Sequence, residues 1–357
     1  MKINFSGALM ACLALALLLT ASCKNSDNSI VSPKGQPPTW GPSMHKEMIA
    51  VIEQLDSFHQ APIQNLSATN ARLLLNIFDA EKELARQNGL PASVPTTDTA
   101  DMEIPVNGTI LHARVYRPRS GTQPYAAILY FHGGGWVIGS AATYDNSARA
   151  LAEQTGAVVV SLNYRLAPEN KFPTAHNDAF ATYRWMLANA GSLNINPTRI
   201  AVAGEDAGAN LACNVSIAAR DSGITMPRCQ LLISPIADPT MSSASYSQFA
   251  SAEPLSKSLM IYYFTNYLRS TDAVDTRINL LQANLQDLPP TTIISAVIDP
   301  LDGDALALQN VMTGSGVSVT RSSYDGVTHD FFGLSRVVPE ARTAQGVAVA
   351  ALRTALQ

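Results

Sequence analysis

Three groups in this 357-residue chain have types and an order that point to hydrolytic chemistry. Asp206 sits at the centre of Gly204-Glu205-Asp206-Ala207-Gly208, directly after the apolar run at 200–203 and before a helix-length segment. This is the strand–turn–helix setting of a nucleophile elbow, in which small residues two before and two after the central one permit a strained turn. Asp299 follows in Asp299-Pro300-Leu301, and His329 in Asp325-Gly326-Val327-Thr328-His329-Asp330-Phe331. In the order elbow, acid, histidine, the acid can orient a histidine that moves protons for the elbow residue. Upstream lies Phe131-His132-Gly133-Gly134-Gly135-Trp136. Three successive glycines let a backbone turn tightly and aim N–H groups at one point, as a developing oxyanion requires.

The elements that must position these groups follow from hydrophobic patterning. Beyond Thr97, short β-rich runs alternate with helix-length segments, the signature of a sheet covered by helices on both faces. Strands are expected near 110–116, 126–131, 158–163, 200–203, 230–233, 292–297 and 317–324, with helices near 145–155, 175–189, 207–219, 305–313 and 339–356. Before the sheet, Met48, Ile49, Ile52 and Leu55, then Leu73, Leu74, Ile77 and Phe78, recur at helical spacing and predict two helices within 47–88. A stretch at about 246–288, inserted between two strands, carries an apolar helix at 259–268.

The blocks HGGGW, NYRLAPE at 163–169, a G-x-x-x-G elbow followed by Asn210, DPL and DGVTHDF run in one order from about residue 116 to the C-terminus. Together they resemble the hormone-sensitive-lipase-like esterases of the α/β-hydrolase fold. The resemblance implies a mostly parallel central sheet with helices on both faces, and a helical cap formed by residues 43–96 and part of 246–288 over a hydrolase domain at 97–357. It also implies Asp299 as the acid, His329 as the base, and an oxyanion hole made by Gly133, Gly134 and the N–H of Ala207. The substrate would be a small carboxylic ester with a short acyl chain, and no cofactor is implied. That family's elbow usually reads G-[DE]-S-A-G-G-N. Here Asp206 replaces the serine and Ala209 a glycine.

The first replacement removes the hydroxyl on which acyl transfer depends. A carboxylate attacking an ester carbonyl would give a mixed anhydride, uphill from the ester. Several readings of Asp206 therefore stand open beside the leading one, carboxylic ester hydrolysis. It could serve as general base on water. It could attack saturated carbon, as in dehalogenase and epoxide-hydrolase chemistry, although Ala207 follows it rather than a halide-binding tryptophan. The site could bind a ligand without catalysis, or a serine could have been replaced in this copy. In each case a carboxylate beside His329 should favour the imidazolium and weaken it as a base.

Other polar residues have structural readings. Arg165, Glu169 and Asp178 are expected to support the fold, His132 to orient the glycine loop, and Tyr262, Tyr263 and Tyr267 to pack rather than polarise a substrate. His45, His59, His112 and His176 lack metal-ligand spacing, and no metal is expected. Charged residues make up 15% and the net charge is -4, which provides no basic field for nucleic acid.

At the N-terminus, Lys2 precedes an apolar run at 8–19 that ends in Thr20-Ala21-Ser22-Cys23. This reads as a signal peptide at 1–22 with a lipobox, so that Cys23 would carry lipid and residues 23–42, rich in Ser, Asn, Pro and Gly, would tether the domain to a membrane. Lys24 after the cysteine implies sorting to the outer membrane, with the domain facing the periplasm. Of the remaining cysteines, Cys213 and Cys229 are expected to be buried, with a disulfide left open.

Overall fold

The computed structural model describes residues 31–357 apart from residues 93 and 107. The signal peptide, Cys23 and the first part of the expected tether lie outside the described residues. Eight strands form one sheet: β1 (Thr97–Val106), β2 (Thr109–Pro118), β3 (Tyr125–Phe131), β4 (Val158–Asn163), β5 (Ile195–Glu205), β6 (Gln230–Ile233), β7 (Thr291–Ile298) and β8 (Val319–Thr328). Their order is β1-β2-β4-β3-β5-β6-β7-β8. β2 runs antiparallel to both β1 and β4, and the other pairs are parallel. The expected fold class is observed.

Both faces of the sheet are buried, and the period of two decides what goes where. Along β3, Ala127, Leu129 and Phe131 pack into one core with Val160, Val202 and the Ala207–Asp221 helix. Ile128 and Tyr130 face the opposite core with Val159, Ala201 and the helices Asp145–Thr155 and Pro339–Ala355. Cys213 and Cys229 are buried and unbridged, and burial pushes both thiols up to about 12.

Three features differ from expectation. β1 was not expected: it is an edge strand hairpinned onto β2 whose first half is mostly exposed and polar, and only Met102, Ile104 and Val106 alternate inward to the core. The second N-terminal helix begins at Ile77, not before Leu73, because Asn76 caps it in a reciprocal box with Asp79. Leu73 is left 79% exposed. Residues 31–42, expected within the flexible tether, pack onto the body: Val31 is 2% exposed, and the amides of Lys34 and Gly35 donate to the Glu53 carboxylate at 2.7 and 2.6 Å.

Candidate active site

Register brings the expected site residues together at the C-terminal ends of the parallel strands, where open α/β sheets place their ligands. Phe131 pairs with Gly204 across β3 and β5, so the glycine loop after β3 lies beside the turn after β5. Ile298 pairs with Thr328 across β7 and β8, so the next residues, Asp299 and His329, are neighbours. Their side chains meet, His329 Nδ1 lying 2.8 Å from Asp299 Oδ2.

The elbow itself is tight. Asp206 has φ 54° and ψ -116°, a strained conformation for a residue with a side chain. The turn is possible only because its flanks are bare: a Cβ at Gly204 would run into the Gly208 carbonyl, and one at Gly208 into the Phe131 carbonyl. Asn210, one turn into the following helix, fixes that helix to the rest of the site. Its Oδ1 lies 2.9 Å from Nε2 of the buried His176, and its Nδ2 donates to the Ile236 carbonyl at 3.1 Å.

The amides that converge here are those of Gly134 and Gly135, each donating to Asp206 Oδ2 at 2.8 Å, with the Ala207 amide also favouring the charged carboxyl. Gly135 thus takes the place expected of Gly133. The left-handed backbone at Gly134 (φ 95°) and Gly135 (φ 58°) turns two successive N–H groups to one point, forming an anion-binding nest. Gly133 instead presents its carbonyl to His132 Nδ1 at 2.7 Å and packs against the Tyr144 hydroxyl. His132, stacked on Tyr164 with ring centroids 4.2 Å apart, is lowered to about 4 by burial and stays neutral beneath the loop, as an orienting residue should.

With Oδ2 held by the nest, Asp206 Oδ1 is buried and has no hydrogen-bond partner. Burial raises Asp206 to about 6, against the opposing pull of His329 and the backbone amides. For His329, burial acts to lower the pKa, but Asp299 and then Asp330, with a further contribution from Asp206, override it and raise the imidazole to about 10. At neutral pH the site therefore holds an aspartate and an imidazolium together. Asp330 was not singled out from the sequence. Its Oδ1 lies 3.6 Å from His329 Nε2 and accepts from the Tyr144 hydroxyl at 3.0 Å. Its backbone is left-handed (φ 63°), a turn that Asp tolerates better than most residues, and the one clue in the sequence was an acidic residue directly after the histidine.

Asp206, His329, Asp330, Gly134 and Tyr144 line a cavity of about 550 Å³ whose other walls come from residues 55–78 and 250–263. The N-terminal segment and the insertion between β6 and β7 thus both cover the site. Thr328 Oγ1 donates to the Glu253 carbonyl at 2.7 Å, pinning the insertion beside the histidine. The Tyr263 ring lies directly over Gly135, where a Cβ would overlap it. Tyr267 is engaged elsewhere, its hydroxyl 2.8 Å from His176 Nδ1 and its ring stacked on Trp136. Arg165 and Asp178 form the expected structural pair at 2.6 Å, and Glu169 binds Arg72 at 2.7 Å.

Comparison with known proteins identifies the family and the fold. A family described as alpha/beta hydrolase fold matches residues 128–333. The chain is 36% identical over 253 residues to the carboxylesterase NlhH of Mycobacterium tuberculosis, covering 70% of this chain and 79% of that protein. It is 33% identical over 254 residues to an ethyl acetate hydrolase of Pseudomonas putida, covering 69% and 79%. Among solved structures, a thermostable esterase from Pseudomonas putida superimposes with a TM-score of 0.81 at 29% identity, covering 89% of this chain and 99% of that one. The carboxylesterase EstE1 from a metagenomic library does so at 0.75 and 37%, covering 82% and 99%. The chain belongs to the hormone-sensitive-lipase-like family of the α/β-hydrolase fold.

Proposed function

We propose that the cavity hydrolyses small neutral carboxylic esters with short acyl chains, using Asp206 as general base rather than as acyl nucleophile. The observation that carries this reading is that an Asp206 oxygen free of hydrogen bonds and His329, flanked by Asp299 and Asp330 that favour its charged form, line the same cavity. Asp206, titrating near 6, is ionised at neutral pH yet basic enough to take a proton from water as the water attacks the ester carbonyl. The imidazolium, held by Asp299, donates to the departing alkoxide. This route avoids the anhydride that direct attack would form.

Substrate class follows from the walls. Tyr263 over Gly135 and Ile138 against Gly134 leave little room beside the nest, which favours short acyl groups. Arg72 is the one Lys or Arg among the described residues lining the cavity, and its guanidinium is committed to Glu169 and to the carbonyls of Val137 and Ala167. Among the described residues a substrate carboxylate would meet only His329 as a free cation, and that charge is already opposed by Asp299, Asp330 and Asp206. The names of the relatives, a carboxylesterase and an ethyl acetate hydrolase, support esters as the class.

One observation favours a second reading, binding without turnover: the nest amides that would receive an ester oxyanion are already satisfied by Asp206. The two readings part on purified protein assayed with p-nitrophenyl acetate, butyrate and octanoate. Turnover of the two shorter esters above an Asp206→Asn control supports hydrolysis. No turnover, with butyrate esters still protecting the fold against heat, supports binding.

The chain's location is proposed on sequence alone. Cys23 would be lipidated and the domain held at the outer membrane on the periplasmic side. No helix among the described residues is long and apolar enough to cross a membrane. Mass analysis of the membrane-extracted mature chain should find an acylated Cys23 at its N-terminus; a mature chain cut elsewhere and free of lipid contradicts the anchor.

A further inference from the structure

We infer that Asp206 is also a nucleophile toward strained saturated carbon, opening small neutral epoxides through Oδ1 to a covalent alkyl ester that the same site then hydrolyses to a diol. The inference rests on the geometry of the same cavity and does not require the ester-hydrolase reading to hold.

The two carboxyl oxygens are held differently. Oδ2 is fixed by the amides of Gly134 and Gly135 at 2.8 Å, while Oδ1 is buried and free of hydrogen bonds. An oxygen relieved of solvent and of donors is the more reactive of the two. The same division of labour suits hydrolysis of the alkylated carboxyl. Once Oδ1 carries the alkyl group, Oδ2 is the carbonyl oxygen of an ester, already seated where two amides can stabilise the oxyanion formed when water attacks Cγ. A serine in this place would have its oxyanion on the substrate; here the hole serves the protein's own carboxyl.

The protons balance as well. Ring opening breaks a C–O bond and leaves an alkoxide that needs a proton, and His329 is placed to supply one, since Asp299 at 2.8 Å and Asp330 at 3.6 Å favour its charged form. In the first step Asp206 Oδ1 bonds to the ring carbon, the ring C–O bond breaks, and the released oxygen takes the His329 proton. Alkylation removes the Asp206 charge as it occurs, so one of the carboxylates that hold His329 protonated disappears, and the neutral imidazole becomes the base for the second step. His329 then takes a proton from water, the hydroxide adds to Cγ, and the tetrahedral adduct expels the diol alkoxide, which recovers that proton. The Asp206 carboxyl returns its proton to His329. Epoxide and water become diol, with no other reactant. A haloalkane would lack this closure, because its leaving group takes no proton from His329 and the histidine would have to lose one elsewhere before acting as base.

The lining adds a donor. Tyr263 lies on the cavity wall over Gly135, and burial together with the Asp206 and Asp330 charges holds its hydroxyl well above its ordinary range. It remains protonated at any pH the site tolerates, so this wall of the cavity carries a neutral hydroxyl donor. Substrates would be neutral, because Asp206 and Asp330 beside His329, the one free cation among the described lining residues, leave no net positive charge to draw an anion.

The test is a single-turnover reaction of the intact folded domain, in excess over 1,2-epoxyhexane, in oxygen-18 water. Diol should form roughly a hundredfold faster than with Asp206→Asn of equal thermal stability. The first-turnover diol should contain no heavy oxygen, and the peptide bearing Asp206 should gain it. Diol carrying the label with an unlabelled Asp206 would mean direct hydration and overturn the inference, as would diol formation no faster than with Asp206→Asn. The same preparation assayed with p-nitrophenyl butyrate separates the two readings: ester turnover without diol defeats only the epoxide inference, and labelled Asp206 without ester turnover defeats only the ester reading.

Discussion

Two aspartates in this molecule are cradled in the same way. Asp206 Oδ2 accepts from the successive amides of Gly134 and Gly135, and Asp304 Oδ2 from those of Ala237 and Asp238, each at 3.0 Å. Both residues are 1% exposed, and in both the Oδ1 atom has no hydrogen-bond partner. Yet burial carries Asp304 to about 8, where it is largely protonated at neutral pH, while Asp206 stops at about 6 and is ionised. The backbone cradle cannot account for the difference. His329 can: its positive charge opposes burial at Asp206, whereas the nearest charges acting on Asp304 are Asp238 and Asp299, both of which push further upward. Burial and amides make a carboxyl structural, and a cation beside it makes it chemical.

The largest expected effect comes from changing the reactive member of the pair. Asp206→Ser should place a hydroxyl on a frame otherwise built for one, and remove the least of the three carboxylate charges that favour the imidazolium of His329. Hydrolysis of p-nitrophenyl butyrate should rise roughly a hundredfold or more. Its pH dependence should change form as well. The original chain needs Asp206 ionised and His329 protonated, so its rate should rise through about pH 6 and fall through about pH 10. The serine form needs His329 neutral and should lose the alkaline fall. Equal rates, or one shared profile, would defeat the assignment of Asp206 as base.

A smaller effect is expected when the cation is taken from Asp206. With His329→Gln, Asp206 should become more like Asp304, its acid limb moving upward from about 6, and ester turnover should drop about tenfold or more. An unmoved acid limb in residual turnover would show that His329 does not set the Asp206 charge.

The smallest effect on activity belongs to Asp304. Asp304→Asn keeps the shape and both amide bonds, and kcat/KM should stay within about a factor of two. Stability should respond instead. The folded-state value near 8 lies above the ordinary 3.8, so the contribution of Asp304 is fully present below pH 3.8 and is lost as pH rises through 8. Relative to the asparagine form, the original should lose several kcal/mol, in order of magnitude, between about pH 4 and 8. Parallel stability curves from urea unfolding across that range would contradict a buried, mostly protonated Asp304.

The difference between these aspartates also shows what a sequence can and cannot convey. Asp206 and Asp299 were legible because each follows an apolar strand and sits in a short motif with fixed spacing, and His329 was legible from its motif alone, since β8 before it is largely polar. The sheet was legible for the same reason except at β1, where a mostly exposed first half leaves only the short alternation of Met102, Ile104 and Val106. Which glycine amides converge was not legible: Gly133, Gly134 and Gly135 are chemically identical, and only the left-handed turns at the last two decide which N–H groups meet. Asp304 was missed because its importance lies in contacts distant along the chain, from Ala237 and Asp238, and Asp330 because only the fold turns it back onto its neighbour His329 and onto Tyr144. The packing of residues 31–42 was hidden behind a loop-like composition, since an anchor such as Glu53 to two backbone amides leaves no periodic trace.

The site's chemistry depends above all on Asp206 and His329 forming an aspartate–imidazolium pair at neutral pH, and the most direct measurement is a nitrogen-15 NMR titration of the His329 ring in the original chain and in Asp206→Ser. Both ring nitrogens should stay protonated through neutral pH and titrate near pH 10 in the original, and the transition should move to lower pH in the serine form. A transition near the ordinary histidine value of 6.5 in the original, or one that Asp206→Ser leaves in place, would contradict the pair.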